Sequence, residues 1–206
     1  MYAIQMLIGA VMIHALAAVT SLVFRRDDGA AIAAAGFGGA LAGLLGLLAG
    51  LSALGAAPVA VDWGGPFPFA PFTLRLDGLS GLMVAVISGL TVVASIYSLA
   101  YVREYEGRGV GAMGFFTLSF VASMVLVVVS DDAFWFLVFF EMMSLASYFL
   151  VIFDQNEEAV SAGFLYFLVA HAGSVAIMAA FFLMANAAGS FEFADFRAHR
   201  PGELAA

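Results

Sequence analysis

The sequence contains no cysteine, which excludes disulfides, iron–sulfur clusters held by thiolates and cysteine-based zinc sites. It contains no lysine either: all seven basic residues are arginine, against fifteen acidic ones, for a formal charge of −8. That balance argues against nucleic acid as a partner, because neutralising phosphates takes clustered cations. Charge of any sign is scarce, at 11% of residues, where an ordinary soluble domain carries roughly 25%. A soluble globule is therefore excluded. Proline is rare as well. Four of the five prolines (Pro58, Pro66, Pro68, Pro71) fall in one connection and the fifth is Pro201, so the long apolar segments run unbroken.

What fills the chain is hydrophobic residue, 64% of 206 positions, with a mean hydropathy of +1.06. A bilayer core takes about 20 apolar residues per spanning helix. Six stretches meet that requirement, at 3–24, 30–56, 79–102, 111–130, 133–153 and 158–186. The predicted fold is all-α, a polytopic transmembrane bundle of six spanning helices. The first stretch lacks the basic start of a secretory signal and its apolar run is too long for one, so it reads as a retained helix. In the one long connection, Asp62-Trp63-Gly64-Gly65 reads as a turn and residues 72–77 alternate as a short strand, after which Asp77 is placed to cap the third helix. Residues 1–190 form the six-helix domain on this reading. Residues 191–206, rich in Phe and Arg, form an interfacial tail or truncated connection whose segment 191–200 is expected to lie along the membrane surface.

Orientation follows from the arginines. Arg25 and Arg26 lie between helices one and two and Arg103 and Arg108 between helices three and four, whereas the opposite loops before the tail hold only Arg75. The positive-inside rule puts the N-terminus outside. Arg197 and Arg200 in the tail oppose that bias unless they lie flat in the interface. Helix two carries Gly39, Gly43, Gly46 and Gly50 on one face, a surface for close helix packing rather than for a ligand.

Helix five is the informative one. It opens with Asp131 and Asp132, which suit the positive end of a helix dipole, and it carries a single internal charge, Glu141. A carboxylate at that depth costs about 2.5–3.5 kcal/mol on insertion scales, so such a residue faces a polar partner or cavity and marks an ion pathway. Ser144 and Tyr148, three and seven positions on, share its face. Helix six begins with Asn156, Glu157 and Glu158, a cap with acidic residues in the first turn, and places His171 near its middle with Ser174 one turn on. A short loop makes helices five and six antiparallel neighbours. Glu141 and His171 then fall at similar depth, to be joined directly or through water. His14 in helix one has no acidic neighbour in its own helix and reads as an interhelical hydrogen bond.

The run from Asp131 to Val151, centred on Glu141-Met142-Met143-Ser144-Leu145-Ala146-Ser147-Tyr148, resembles the fifth helix of the antiporter-like membrane subunits shared by respiratory complex I, multisubunit cation/proton antiporters and membrane-bound hydrogenases. Leu76-Asp77-Gly78-Leu79-Ser80, Tyr97-Ser98-Leu99-Ala100-Tyr101-Val102-Arg103-Glu104-Tyr105 and His171-Ala172-Gly173 carry the same resemblance. Within the group, the wording is most similar to the hydrogenase-4 and formate hydrogenlyase branch. The resemblance implies a proton-translocating subunit in a prokaryotic plasma membrane, non-catalytic on its own. It implies no cofactor or metal of the chain's own, and as partners other membrane subunits and, through them, soluble redox subunits. It makes Glu141 the helix-five glutamate of the proton path and puts His171 where many complex I relatives have a different polar or charged residue; with Ser144 and Tyr148, which share the face of Glu141, these are the expected proton-pathway residues. Phe140 stands where the family commonly has Trp. Family members have more than twice as many helices, with lysines continuing the path, so this lysine-free chain is expected to be the front portion of a longer product or a split subunit.

Three other readings stay open at this point: a cation/proton antiporter subunit, a purely structural module in which Glu141 merely bonds a neighbouring helix, and a redox anchor ligating haem between His14 and His171. The electron donor, the coupled ion and the direction of transport are not written in these residues.

Overall fold

A computed structural model describes residues 2–65, 67 and 70–198. Its helices are α1 (Tyr2–Val23), α2 (Asp28–Ala53), α3 (Gly78–Tyr101), α4 (Val110–Val129), α5 (Ala133–Val151), α6 (Glu157–Ala188) and the short α7 (Phe193–Ala198). A single 3-10 turn, Val102–Tyr105, extends α3. The first six helices are long and apolar enough to cross a membrane, and the chain is an all-α membrane bundle.

The starts of the helices follow from short polar side chains that satisfy the otherwise unpaired first N–H groups. Asp27 accepts from the Ala30 N–H at 3.0 Å, and Asn156 accepts from Ala159 at 2.7 Å. Asp77 forms the expected cap of α3 as a full capping box with Ser80. Gly189, in the left-handed conformation at φ 74°, ends α6.

Helix α2 is the hub, packed between α1 and α3 and touching α4, while α5 lies on α4 and α6 lies on α5. The glycine face expected on α2 is directed at α3. A Cβ at Gly50 would stand 2.5 Å from the Gly81 carbonyl oxygen and 2.6 Å from the Ala85 nitrogen, so two backbones meet where no side chain fits. Gly36 extends this face by one more position, against Leu99 and Ser95.

The long connection forms a hairpin. Val59–Asp62 (β1) pairs antiparallel with Thr73–Leu76 (β2), Val59 opposite Leu76 and Asp62 opposite Thr73. The predicted strand is present, and its partner, residues 59–62, is an element that sequence periodicity did not supply. Asp62 Oδ1 accepts from the Gly64 N–H at 2.6 Å, which makes the expected turn. Leu74 and Leu76 are buried with Ile4, Leu7, Ala49, Ala53, Val84, Val125 and Val129, so the hairpin closes one end of the four-helix core.

At that end, main-chain hydrogen bonds join three connections. The Asp131 N–H donates to the Thr73 carbonyl at 3.1 Å, the Ala133 N–H to Phe191 at 2.9 Å and the Phe193 N–H to Asp131 at 3.3 Å. Residues 130–132 thereby act as a strand between β2 and the segment after α6. The described part of the tail is thus folded onto the ends of α5 and α6, with Phe196 buried beside Ala133 and Ala185. The remainder of the expected interfacial segment, residues 199–206 including Arg200, lies outside the described residues, as do Pro66 and Pro68.

Candidate functional site

The antiparallel pair α5–α6 brings the two mid-helix ionisable groups into contact. Glu141 Oε2 stands 3.2 Å from His171 Nε2, each side chain a little over one-third exposed. Of the two routes the sequence left open, direct contact and a water bridge, the geometry has the direct one.

The other imidazole nitrogen fixes the chemistry. His171 Nδ1 lies 2.9 Å from the Phe167 carbonyl oxygen, one turn back on α6. A carbonyl only accepts, so Nδ1 carries a hydrogen and donates it. Nε2 is left facing Glu141. Either a carboxylic acid donates to a neutral Nε2, or an imidazolium donates to a carboxylate, and in both forms one proton lies between the two side chains. The Phe167 ring packs on the imidazole at 3.9 Å between centroids, and Tyr148 packs on Phe167 at 5.4 Å.

Tyr148 is therefore connected to the pair through Phe167 rather than by a hydrogen bond of its own. Ser144 is buried, and its backbone carbonyl accepts from Ser147 Oγ at 3.0 Å. Among the described residues its hydroxyl is bonded to neither member of the pair. Ser174 returns its hydroxyl to the Ala170 carbonyl at 3.1 Å, within its own helix. Two groups at this seam escaped the sequence reading, the Phe167 carbonyl and a cross-helix bond between Ser147 Oγ and Tyr166 Oη at 2.5 Å. A tyrosine inside the apolar run of α6 was the available signal for the second.

His14 corrects an expectation. It is buried on α1, but Nδ1 bonds the Ala10 carbonyl of its own helix at 2.9 Å, and Nε2 has no partner among the described residues. The interhelical bond expected for it is not formed. A bis-histidine haem site does not fit either, because both nitrogens of His171 are engaged, one by Phe167 and one by Glu141.

At the hairpin end, Asp131 is approached at 3.8 Å by Arg75 and at 3.8 Å by Arg197. Asp132 is fully buried and caps α5, its Oδ1 accepting from Phe134 and Trp135. Burial pushes its carboxyl above the usual range, against the two N–H bonds that pull it down. Trp135 Nε1 donates to the Ala70 carbonyl at 3.2 Å and holds the hairpin connection against the start of the same helix.

The sequence and the fold are similar to those of known proteins. Residues 130–201 match the family described as NADH:quinone oxidoreductase/Mrp antiporter, TM, and residues 69–109 match NADH-Ubiquinone oxidoreductase (complex I), chain 5 N-terminus. Hydrogenase-4 component B of Escherichia coli (strain K12) is 50% identical over 96% of this chain, which covers 30% of that relative. A probable K(+)/H(+) antiporter component of Rhizobium meliloti (strain 1021) is 35% identical over 65% of this chain and 24% of its own length. In the membrane-bound sulfane sulfur reductase, an archaeal respiratory membrane complex, a chain 16% identical superposes with a TM-score of 0.78, over 97% of this chain and 41% of that one, a likeness of fold. This chain spans less than a third of the curated relatives it matches. Two family matches that together take in more than half of the sequence, on a six-helix fold of the same shape, place this integral membrane chain in the antiporter-like subunit family of hydrogenase-4, complex I and the Mrp antiporters.

Proposed function

We propose that the chain is the front portion of a proton-translocating membrane subunit of a hydrogenase-4/formate hydrogenlyase or complex I-like oxidoreductase, and that Glu141 and His171 are consecutive stations on its proton path. The observation that carries the reading is the 3.2 Å contact between a carboxyl and an imidazole inside apolar helices, with the imidazole's second nitrogen committed to a carbonyl. Such a pair can pass one proton between Oε2 and Nε2 without rearranging either helix. Ser144 and Tyr148 shape the seam around it. The chain catalyses no redox step on its own. Its partners are other membrane subunits and, through them, soluble redox subunits, in a prokaryotic plasma membrane with the N-terminus outside.

A cation/proton antiporter subunit is the second reading, favoured by the 35% identity to a probable K(+)/H(+) antiporter component. The deciding experiment is Glu141→Gln in the full-length protein, with assembly followed by native gel and pumping in inverted vesicles. Gln keeps the shape and cannot cycle a proton. The proton-path reading expects an intact complex whose translocation falls about a hundredfold, the scale of a lost positioned proton-transfer group. Wild-type pumping in the Gln variant would remove Glu141 from the path and leave a structural module.

A further inference from the structure

Helix α3 packs chiefly on α2 and α4 chiefly on α1 and α5, the two make little contact with each other, and a crevice of about 530 Å³ runs between them. Its floor is Ile32 and Ala35 of α2, and its walls include Leu90 and Ala94 on one side and Thr117 and Val121 on the other. The crevice asks for a hydrocarbon. Thr91 and Ser98, which also line it, return their hydroxyls to the Ile87 and Ser95 carbonyls of their own helix.

Its dimensions limit the occupant. Along α4 the lining runs from Val110 to Met124, about 21 Å at 1.5 Å per residue. A single extended hydrocarbon chain matches that length and the apolar lining.

The mouth of the crevice is marked by Tyr101, Val102 and Val110. There Tyr97, Tyr101 and Tyr105 form a ladder with centroids 5.3 and 5.7 Å apart, the ring type that settles at headgroup depth. Arg108 lies over the Tyr105 ring at 5.9 Å, and Arg103 Nε donates to the Leu99 carbonyl at 3.1 Å. Glu104 and Glu106 share this connection, yet among the described residues neither arginine has a carboxylate within 4.0 Å. The connection at this end of the slot therefore carries two guanidinium groups with no contacting carboxylate among the described residues, Arg103 next in the chain to Val102 and Arg108 two residues before Val110.

We infer that the α3–α4 crevice binds an anionic phospholipid, one acyl chain lying between the helices and the phosphate held by Arg103 and Arg108. Guanidinium forks bind phosphate oxygens bidentately, and basic sites between spanning helices hold anionic headgroups in just this way. The inference is independent of the proton path, since no residue of the α5–α6 pair lines the crevice.

The test uses the full-length protein in its complex, in phosphatidylcholine nanodiscs doped with phosphatidylglycerol that carries a diazirine in one acyl chain. After photolysis, mass spectrometry should place the label on Leu90, Ala94, Thr117 and Val121 in excess over the exposed Leu16 of α1. The double variant Arg103→Gln/Arg108→Gln should cut that labelling about thirtyfold, the scale set by about 1 kcal/mol for each of two cationic contacts to an anionic lipid. A diazirine phosphatidylcholine should label the crevice weakly in both proteins. Equal labelling by the two lipids would overturn the headgroup assignment. Labelling no greater than at Leu16, or none because another subunit fills the slot, would overturn the site.

Discussion

Asp131 and Asp132 are neighbours in the chain and opposites in environment: Asp131 lies between two arginines, Arg75 and Arg197, each at 3.8 Å, while Asp132 is fully buried with one carboxylate oxygen unpartnered among the described residues. Burial raises the pKa of Asp132, and the nearby acidic groups of Glu192 and Asp131 add to that rise.

The stability consequence has a definite sign. A carboxyl whose folded pKa is raised favours the folded state below its unfolded value, 3.8, and loses that contribution as pH climbs through the raised one. Asp132→Asn keeps the helix cap and cannot ionise. Thermal unfolding of the full-length protein in detergent should show the Asn variant matching wild type near pH 4 and exceeding it at pH 8. Asp132→Ala, which loses the cap, should cost about 1 kcal/mol relative to Asn at both. An Asn variant less stable than wild type at pH 8 would contradict the account.

Asp77 has the opposite sign. Its capping bonds with Ser80 hold its carboxyl below the usual range, with a smaller contribution from Arg75. The stability it contributes is present above the unfolded pKa and is lost as pH falls through the folded one. Asp77→Asn should therefore flatten the acid limb of the unfolding profile, matching wild type in acid and falling below it at neutral and alkaline pH.

The α2–α3 seam predicts that the same substitution acts in opposite directions at two glycines. A methyl group at Gly50 would run into the backbone of Gly81 and Ala85, which cannot give way as a side chain can. Gly50→Ala should destabilise by about 1–3 kcal/mol, the usual cost of overpacking. Gly9 on α1 has nothing within 4 Å of the same point, so Gly9→Ala should stabilise by about 0.5–1 kcal/mol through helix propensity. Denaturation in mixed detergent compares the two directly.

Shortening the carboxylate side chain tests the proton pair. Glu141→Asp moves the carboxyl back by one methylene, opening the 3.2 Å contact to about 4.5 Å, a gap that one water can bridge. Translocation should fall to an intermediate level, above that of Glu141→Gln. His171→Ala should also retain part of the flux, since water can stand in for the imidazole while Glu141 remains to give and take the proton. A His171→Ala variant as inactive as Glu141→Gln would show that the imidazole is indispensable.

Residues 1–206 contain no cysteine, so a single cysteine introduced into this segment is the only thiol within it and reports the orientation of its own connection. Cysteines near Asp62 should react with an impermeant maleimide added outside intact cells, and those near Arg25 or Glu106 only after permeabilisation. The reverse pattern would invert the topology.

The six spans, the Asp77 and Asn156 caps and the Glu141–His171 proximity were legible in the sequence because each depends on local chemistry or on helix length. Rotation about the helix axis was not. In a bilayer the lipid-facing side of a helix is as apolar as the packed side, so hydrophobic periodicity says little about which residues meet. That is why the bond between Ser147 and Tyr166 and the carbonyl of Phe167 emerged only with the fold. The hairpin partner Val59–Asp62 reads Val-Ala-Val-Asp, three apolar residues in a row, and so lacks the apolar–polar alternation that marks residues 72–77. His14 misled for a related reason: a polar residue inside a span can turn to its own helix instead of a neighbour.

The junction of hairpin, α4–α5 link and tail is held by N–H groups of Asp131, Ala133 and Phe193, and main-chain bonds do not depend on which side chain is attached. For those bonds, substitution there is cheap for every residue except one. Proline has no N–H to give, so these three positions should read as proline-intolerant in a saturation library, while Gly50 on α2 refuses any side chain at all. One seam of the molecule is specified by the absence of side chains and the other by the bare peptide, and the two will drift at different rates over evolutionary time.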